Sequence, residues 1–284
     1  MSGGAPDNGQ RGYALVAAVA SIAVFAAIAL AVISATRIDI VKGSGEVSSA
    51  RARLAAEAGM ATALHGLINR DPATLALLDG RTQELDFNGA RLTIALTDER
   101  GKVALNAIEA PVIDRMLAEA GMDLAQAEVA RDSLLDWIDV DDEARPSGAE
   151  APYYSKNGIA PRNSALLTID ELGAIRGFST EVVARLRPFV TVQPGTVPFS
   201  PRYASPQALN AFGDTRGAVA EIERQREAAG QRTAIAFADQ TSWIGRPITI
   251  SVDAVMADGA HYRSDAVVEV SGKPAHPYII RTAG

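Results

Sequence analysis

The sequence predicts an α+β fold in which a long amino-terminal helix packs on an antiparallel sheet, with a large all-helical domain inserted between the strands. Three observations predict it. Tyr13 to Thr36 form an uncharged, almost wholly apolar run, and Ile38 to Leu67 continue it without a proline. Two hairpin signals, Asn88-Gly89 and Asp258-Gly259, each stand between alternating apolar and polar segments, far apart in the chain. Between them, from Ala110 to Leu186, the apolar spacing is that of helices.

The apolar run is 24 residues long. As a helix at about 1.5 Å per residue it reaches about 36 Å, enough to cross a hydrocarbon core of about 30 Å with some tilt. A secretory signal would carry a shorter apolar core followed by small residues at a cleavage site, so residues 13–36 are expected to remain as a single-pass anchor after a hydrophilic 1–12. Arg11 on one side faces Arg37, Lys42, Arg51 and Arg53 on the other, and charge alone leaves the orientation open.

Residues 37–70 read as the stalk of the same helix, softened at Gly43 and Gly45, where each glycine costs about 1 kcal/mol relative to alanine. Asn69-Arg70-Asp71-Pro72 stops it. Leu54, Ala58, Ala61, Leu64 and Ile68 recur at steps of three and four and make one apolar stripe, the expected packing surface for the sheet. Helix-in-groove docking uses the same spacing, so Leu54, Ala58, Ala61 and Leu64 are also the expected contacts for a partner protein.

After the stalk, Thr82 to Phe87 and Arg91 to Thr97 form the first hairpin, and Lys102 to Asn106 a third short strand. Helical spacing then fills Ala110 to Trp137, split near Gly121-Met122-Asp123. Two shorter helices follow, Ile169 to Arg176 and Thr180 to Leu186, joined at Gly177-Phe178-Ser179. Pro188 to Pro206 is proline-rich and reads as extended linker. Ala218 to Ala229 reads as a charged helix ending at Gly230. Ile248 to Val255 and Ser264 to Val270 form the second hairpin, with Tyr278 to Arg281 as a last strand. The resulting division is 71–108 and 189–284 for the α/β body, with 109–188 as the helical insert.

The formal charge of -7 argues against unspecific nucleic-acid binding, which needs phosphate-neutralising lysines and arginines in excess. The absence of cysteine excludes disulfides, thiolate metal sites and cysteine nucleophiles. His65, His261 and His276 have no H-E-x-x-H spacing and no nucleophile to serve. No G-x-S-x-G or P-loop occurs, and Gly43-Ser44-Gly45 lacks a strand-turn-helix setting. The expectation is a protein that is not an enzyme.

Asp139, Asp141, Asp142, Glu143 and Glu150 crowd one loop, and hard cations such as calcium take six to eight oxygens from such loops. Asp139, Asp141, Glu143 and Glu150 match positions 1, 3, 5 and 12 of an EF-hand loop, yet Ala144 stands where its turn wants glycine and Pro146 stiffens the chain. The other reading is a solvated acidic loop capped by Trp137 packing inward. Leu172 to Leu186 has the look of a helix-hairpin-helix, in which Ser179 replaces the usual second glycine. Arg176, Arg185 and Arg187 are too few to overcome the acidic balance, and a packing role is expected.

Arg11-Gly12-Tyr13-Ala14-Leu15 before a long apolar helix resembles the leader of type IV prepilins and pseudopilins. Ala17 stands where most of that family has glutamate, a departure typical of the K-type minor pseudopilins of type II secretion. Further segments resemble the K-type proteins: Gly101 to Asn106, Asp136 to Asp141, Pro146 to Glu150 with Tyr153-Tyr154, and Asp170-Glu-Leu172 through Gly177 to Leu186-Arg-Pro-Phe189. The resemblance implies the pseudopilin fold, with a SAM-like or helix-hairpin-helix-like insert. It implies cleavage by prepilin peptidase between Gly12 and Tyr13, methylation of the new amino terminus, and an inner-membrane anchor with a periplasmic body. It also implies assembly with I- and J-type minor pseudopilins and the major pseudopilin, and adds weight to calcium. A bilayer-buried glutamate is costly and is thought to pair with the next subunit's amino terminus, so its absence suits a subunit at the filament tip. Two rival readings are a DNA-uptake pseudopilin using the helical insert and a signal-anchored periplasmic hydrolase.

Overall fold

The computed structural model describes Phe25 and residues 45–193, 199–213, 220, 221, 224 and 244–283. The expected leader, its Gly12-Tyr13 junction and all of the expected span except Phe25 lie outside the described residues, as does most of Ala218 to Ala229. Phe25 is helical and exposed, and residues 220, 221 and 224 are helical. Among the described residues no helix is long and apolar enough to cross a membrane.

Helix α1 (residues 45–68) and the short α2 (Pro72–Ala76) precede a five-stranded antiparallel sheet. Its strands are β1 (Thr82–Phe87), β2 (Ala90–Asp98), β5 (Pro247–Met256), β6 (His261–Lys273) and β7 (His276–Ala283), in the order β1-β2-β5-β6-β7. Both glycine hairpins form as expected. Asn88 and Gly89 take positive φ of 50° and 83°, the two left-handed residues that match a tight turn to strand twist. The central pair, β2 and β5, comes from opposite ends of the body, with Leu92 facing Ala254, Ile94 facing Val252 and Leu96 facing Ile250. The described residues between Asp98 and Pro247 supply no strand to this sheet, and Ile244 touches it only through an isolated bridge to Val270.

The sheet packs on α1 mainly through residues outside the stripe expected from sequence, of which Leu64 does pack against the sheet's core. Ala55, Ala56, Ala63 and Leu67 share a buried cluster with Leu92, Ile94, Ile250 and Val252. Gly59 and Gly66 lie on this face. A Cβ on Gly59 would sit 2.8 Å from Val252 Cγ1, and one on Gly66 would sit 2.0 Å from Thr74 Oγ1. Close approach selects small residues here, because a larger side chain would hold the helix away from the strands. Leu54 and Ala61 are exposed, and Ala58, Leu64 and Ile68 half-buried. The leucine-based stripe thus turns largely away from the sheet.

The intervening chain builds a second core. Strands β3 (Val103–Ala104) and β4 (Val190–Thr191) pair in parallel, Val103 opposite Val190, so the chain enters and leaves the helical region side by side. The third expected strand thus belongs to this small sheet. Helices α3 (Ala110–Glu119), α4 (Leu124–Ile138), α5 (Ala151–Tyr154) and α6 (Thr180–Leu186) surround Ile113, Met116, Leu134, Trp137 and Leu172. Asp123 caps α4, accepting from the Gln126 N–H at 2.9 Å while the Gln126 side chain reaches back to the Asp123 N–H. Helix α7 (Pro206–Ala211), beyond the linker, packs on α3, so this core extends past both limits of 109–188.

Gly177 has φ of 94°, and a Cβ there would lie 2.8 Å from Ala130 Cα. The hairpin between α6 and the preceding 3₁₀ turn (Ile169–Ala174) is pressed onto α4. Its arginines are engaged within the fold: Arg176 Nη1 donates to the Gly148 carbonyl at 2.9 Å, Arg185 Nε to the Ala120 carbonyl at 2.6 Å, and Arg187 pairs with Asp170. That is the packing role expected.

Candidate cation site and partner face

Helix α4 ends in acidic residues, where the partial negative charge of its exposed carbonyls already makes carboxylates unfavourable. Asp132 and Asp136 occupy its buried side and Asp139 is its C-cap. The loop after it folds back on these carboxylates through backbone donors. Arg145 N–H donates to Asp136 at 3.2 to 3.3 Å and Ser147 N–H to Asp132 at 3.2 Å. Gly148 packs so close that a Cβ would lie 1.9 Å from Asp136 Oδ2. The loop closes at Glu150, the residue before α5. Trp137 packs inward as expected, 3% exposed, with its ring edge-on to Tyr154 at 5.2 Å.

Three of the five acids singled out from sequence converge here. Asp139, Asp141 and Glu150 each offer an oxygen, all within 4.8 Å of one another. Oxygens on opposite sides of one calcium ion, each about 2.4 Å from it, are separated by about that distance. Asp142 and Glu143 stand outside the group. Asp142 Oδ1 accepts from Asn163 Nδ2 at 2.9 Å, and Glu143 is exposed, with only its N–H turned inward to Asp141 Oδ1 at 2.9 Å. Glu143 therefore does not supply the fifth position of an EF-hand loop.

Glu150 distinguishes the site from an ordinary acidic surface. It is 3% exposed, and neither carboxylate oxygen has a hydrogen-bond partner; Asp139 Oδ1 is likewise buried without one. Burying an unpaired carboxylate is costly. Burial, and then the charges of Asp136, Asp139, Asp142 and Asp141, push the Glu150 carboxyl above the usual carboxylate range. A cation placed among these oxygens would remove the penalty. The donor set is all oxygen and carries several negative charges, which fits a hard divalent ion such as calcium.

Sequence reasoning missed Arg145 and Asn163. Arg145 Nη1 bridges Asp136 Oδ1 at 2.5 Å and Asp139 Oδ2 at 2.6 Å. It is the sole basic residue between Asp139 and Glu150, which was the available signal. Asn163, at φ 46°, donates to the Asp141 carbonyl at 3.0 Å and tethers the loop from 21 residues beyond Asp142. No local pattern announces it.

The face of α1 turned from the sheet carries Val47, 54% exposed, Leu54, 63% exposed, and exposed Ala61, spaced at seven residues. Of the histidines, His65 contacts Asn69, His261 pairs with Asp253, and all three are exposed.

A helix laid on an antiparallel sheet, with a helical lobe between strands of that sheet, defines an α+β protein. The structure resembles a chain in "The Crystal Structure of the GspK-GspI-GspJ complex from enterotoxigenic Escherichia coli Type 2 Secretion System", with a TM-score of 0.53 at 15% identity, covering 82% of this chain and 98% of that one. Residues 87–195, which include the whole acidic loop, match the family model for type II secretion system (T2SS), protein K. The chain is 32% identical over 133 residues to a putative type II secretion system protein K of Escherichia coli (strain K12). It is 35% identical over 85 residues to the protein K of Dickeya chrysanthemi, and 33% identical over 126 residues to that of Aeromonas hydrophila. These matches cover 44%, 30% and 41% of this chain, and 40%, 23% and 38% of the relatives' own lengths. The likeness to that family is carried by residues 87–195, and the chain spans less than half the length of the curated relatives it matches.

Proposed function

We propose that the chain is a K-type minor pseudopilin at the tip of the type II secretion pseudopilus, helping to initiate its assembly and the export of folded proteins across the outer membrane. Residues 13–36 anchor it in the inner membrane, and the body stands in the periplasm. Prepilin peptidase removes 1–12, the new amino terminus is methylated, and assembly draws the helix from the bilayer beside I- and J-type minor pseudopilins and above the major pseudopilin. The helical region around 109–188 acts as an inserted domain on the pseudopilin body. The protein makes and breaks no bond; it works by docking.

The observation that carries this reading is the outward face of α1. A helix already packed on its own sheet through alanines and glycines still presents Val47, Leu54 and Ala61 to solvent in register, with Ala58 and Leu64 beside them. Such an apolar row fits a partner helix. Within the helical region, Asp139, Asp141 and Glu150 hold calcium, with Asp136 behind them. The ion supplies positive charge to buried carboxylates and so fastens the loop between α4 and α5. Because Arg176, Arg185 and Arg187 are spent on internal contacts, DNA uptake gains no support.

Amino-terminal sequencing of the membrane-fraction protein, made with and without a prepilin peptidase, tests the reading. The expected mature protein starts at Tyr13 only when the peptidase is present. A protein that keeps Met1 in both cases, or starts far downstream without the apolar run, would overturn it.

A further inference from the structure

Arg145 is placed in the acidic site in a way that the loop's architecture does not require. Its backbone N–H already donates to both oxygens of Asp136, and Gly148 is packed against that same carboxylate. The guanidinium adds charge. It reaches past fully buried Asp136 to Asp139 Oδ2, an oxygen of the very carboxylate whose other oxygen is buried and unpartnered. Its side chain is 36% exposed, so a path to solvent is open. Glu150 receives no hydrogen bond from it.

A divalent ion among Asp139, Asp141 and Glu150 would put two positive charges beside the guanidinium. Like charges this close repel strongly, most of all where burial lowers the effective dielectric. Asp136 keeps its backbone donor, the Arg145 N–H, whether or not the side chain stays. Asp139 is therefore the contested residue.

We propose that Arg145 is the resident counter-ion of this site, displaced from Asp139 by an incoming divalent cation, so that ambient calcium sets whether the loop is held by the guanidinium or by the ion. This rests on the calcium reading above. The arginine sets the affinity: it stabilises the cation-free loop and weakens calcium binding, keeping occupancy responsive to concentration. The cost of a fully uncompensated acidic cluster never arises.

The test is calcium titration by calorimetry on the full-length detergent-solubilised protein, its Arg145→Gln variant, which keeps length but loses charge, and Arg145→Lys, which keeps charge. Thermal unfolding with chelator and with calcium is run on each. The Arg145→Gln protein is expected to bind calcium about tenfold more tightly, the equivalent of about 1.4 kcal/mol. It should unfold at a lower temperature in chelator and gain more from calcium, while Arg145→Lys stays near wild type. If wild type binds calcium and Arg145→Gln binds no more tightly, the counter-ion role is overturned and the calcium site stands. If none of the three proteins takes up calcium or is stabilised by it, the site reading falls and this inference with it.

Discussion

Asp98, closing β2, forms a water-excluded ion pair with Arg246, just ahead of β5, and thereby joins the two points where the chain leaves and re-enters the main sheet. Arg100 adds a bidentate contact to the same carboxylate, its Nε at 3.0 Å and Nη2 at 2.9 Å, and both guanidinium groups lie over the Tyr203 ring at 5.3 and 5.1 Å. Burial pushes the Asp98 carboxyl upward, but the Arg100 hydrogen bonds and the Arg246 charge outweigh it and hold the group below its ordinary range.

Asp98→Asn leaves two buried guanidinium groups short of a counter-charge. The expected cost is about 3 to 5 kcal/mol, the usual consequence of removing one partner of a buried pair. The sign of the pH dependence follows from the lowered carboxyl. Its stabilisation is complete above the unfolded value of about 3.9 and is lost as pH falls through the lower folded one. Denaturant unfolding at pH 7 and at successively lower pH should show the wild type and Asp98→Asn far apart at the first and converging only as pH falls from about 4 through the lower folded value.

Gly66→Ala tests the close seating of α1. Alanine gains about 1 kcal/mol in helix propensity. Its methyl group would have to displace Thr74, whose hydroxyl donates to Asp71 at 2.9 Å and whose side chain is buried. Overpacking of this kind costs about 1 to 3 kcal/mol, so a net loss of stability is expected in thermal unfolding. Gly80→Ala, where a Cβ meets open space but φ is 84°, should lose stability through backbone strain alone.

Glu150 carries the opposite pH sign from Asp98. Its raised carboxyl means that the folded protein keeps a proton the unfolded chain has released. Stability without cation therefore declines as pH rises from the ordinary glutamate value through the raised one. Glu150→Gln should raise the unfolding midpoint in chelator at pH 7 and abolish stabilisation by calcium. In wild type, calcium uptake should weaken on acidification, because the ion needs the carboxylate that the proton occupies.

Much of this architecture was legible because local physics wrote it. Asn88, Gly89 and Gly259 supply the left-handed backbone of the two turns, the α3–α4 break falls on Gly121, and Trp137 points inward as its surroundings demand. The packing face of α1 was misjudged because hydrophobicity gives weight to leucine, whereas the helix-sheet contact is governed by how closely backbones approach, which favours Ala55, Ala56, Gly59 and Gly66. The β3–β4 pairing and the docking of α7 on α3 join distant segments through short elements with little pattern of their own. At the acidic loop the carboxylates were visible, but which three converge depends on backbone donors from Arg145 and Ser147 and on Asn163 far downstream.

The central claim is that the outward row on α1 seats the helix of a partner pseudopilin. The chain has no cysteine, so one introduced thiol marks one place. With I- and J-type pseudopilins carrying scanned single cysteines on their own helices, Leu54→Cys and Ala61→Cys should each cross-link to a partner in assembling membranes, and Gln83→Cys on the exposed edge strand β1 should not. Cross-links from Gln83→Cys with none from Leu54→Cys or Ala61→Cys would contradict the account.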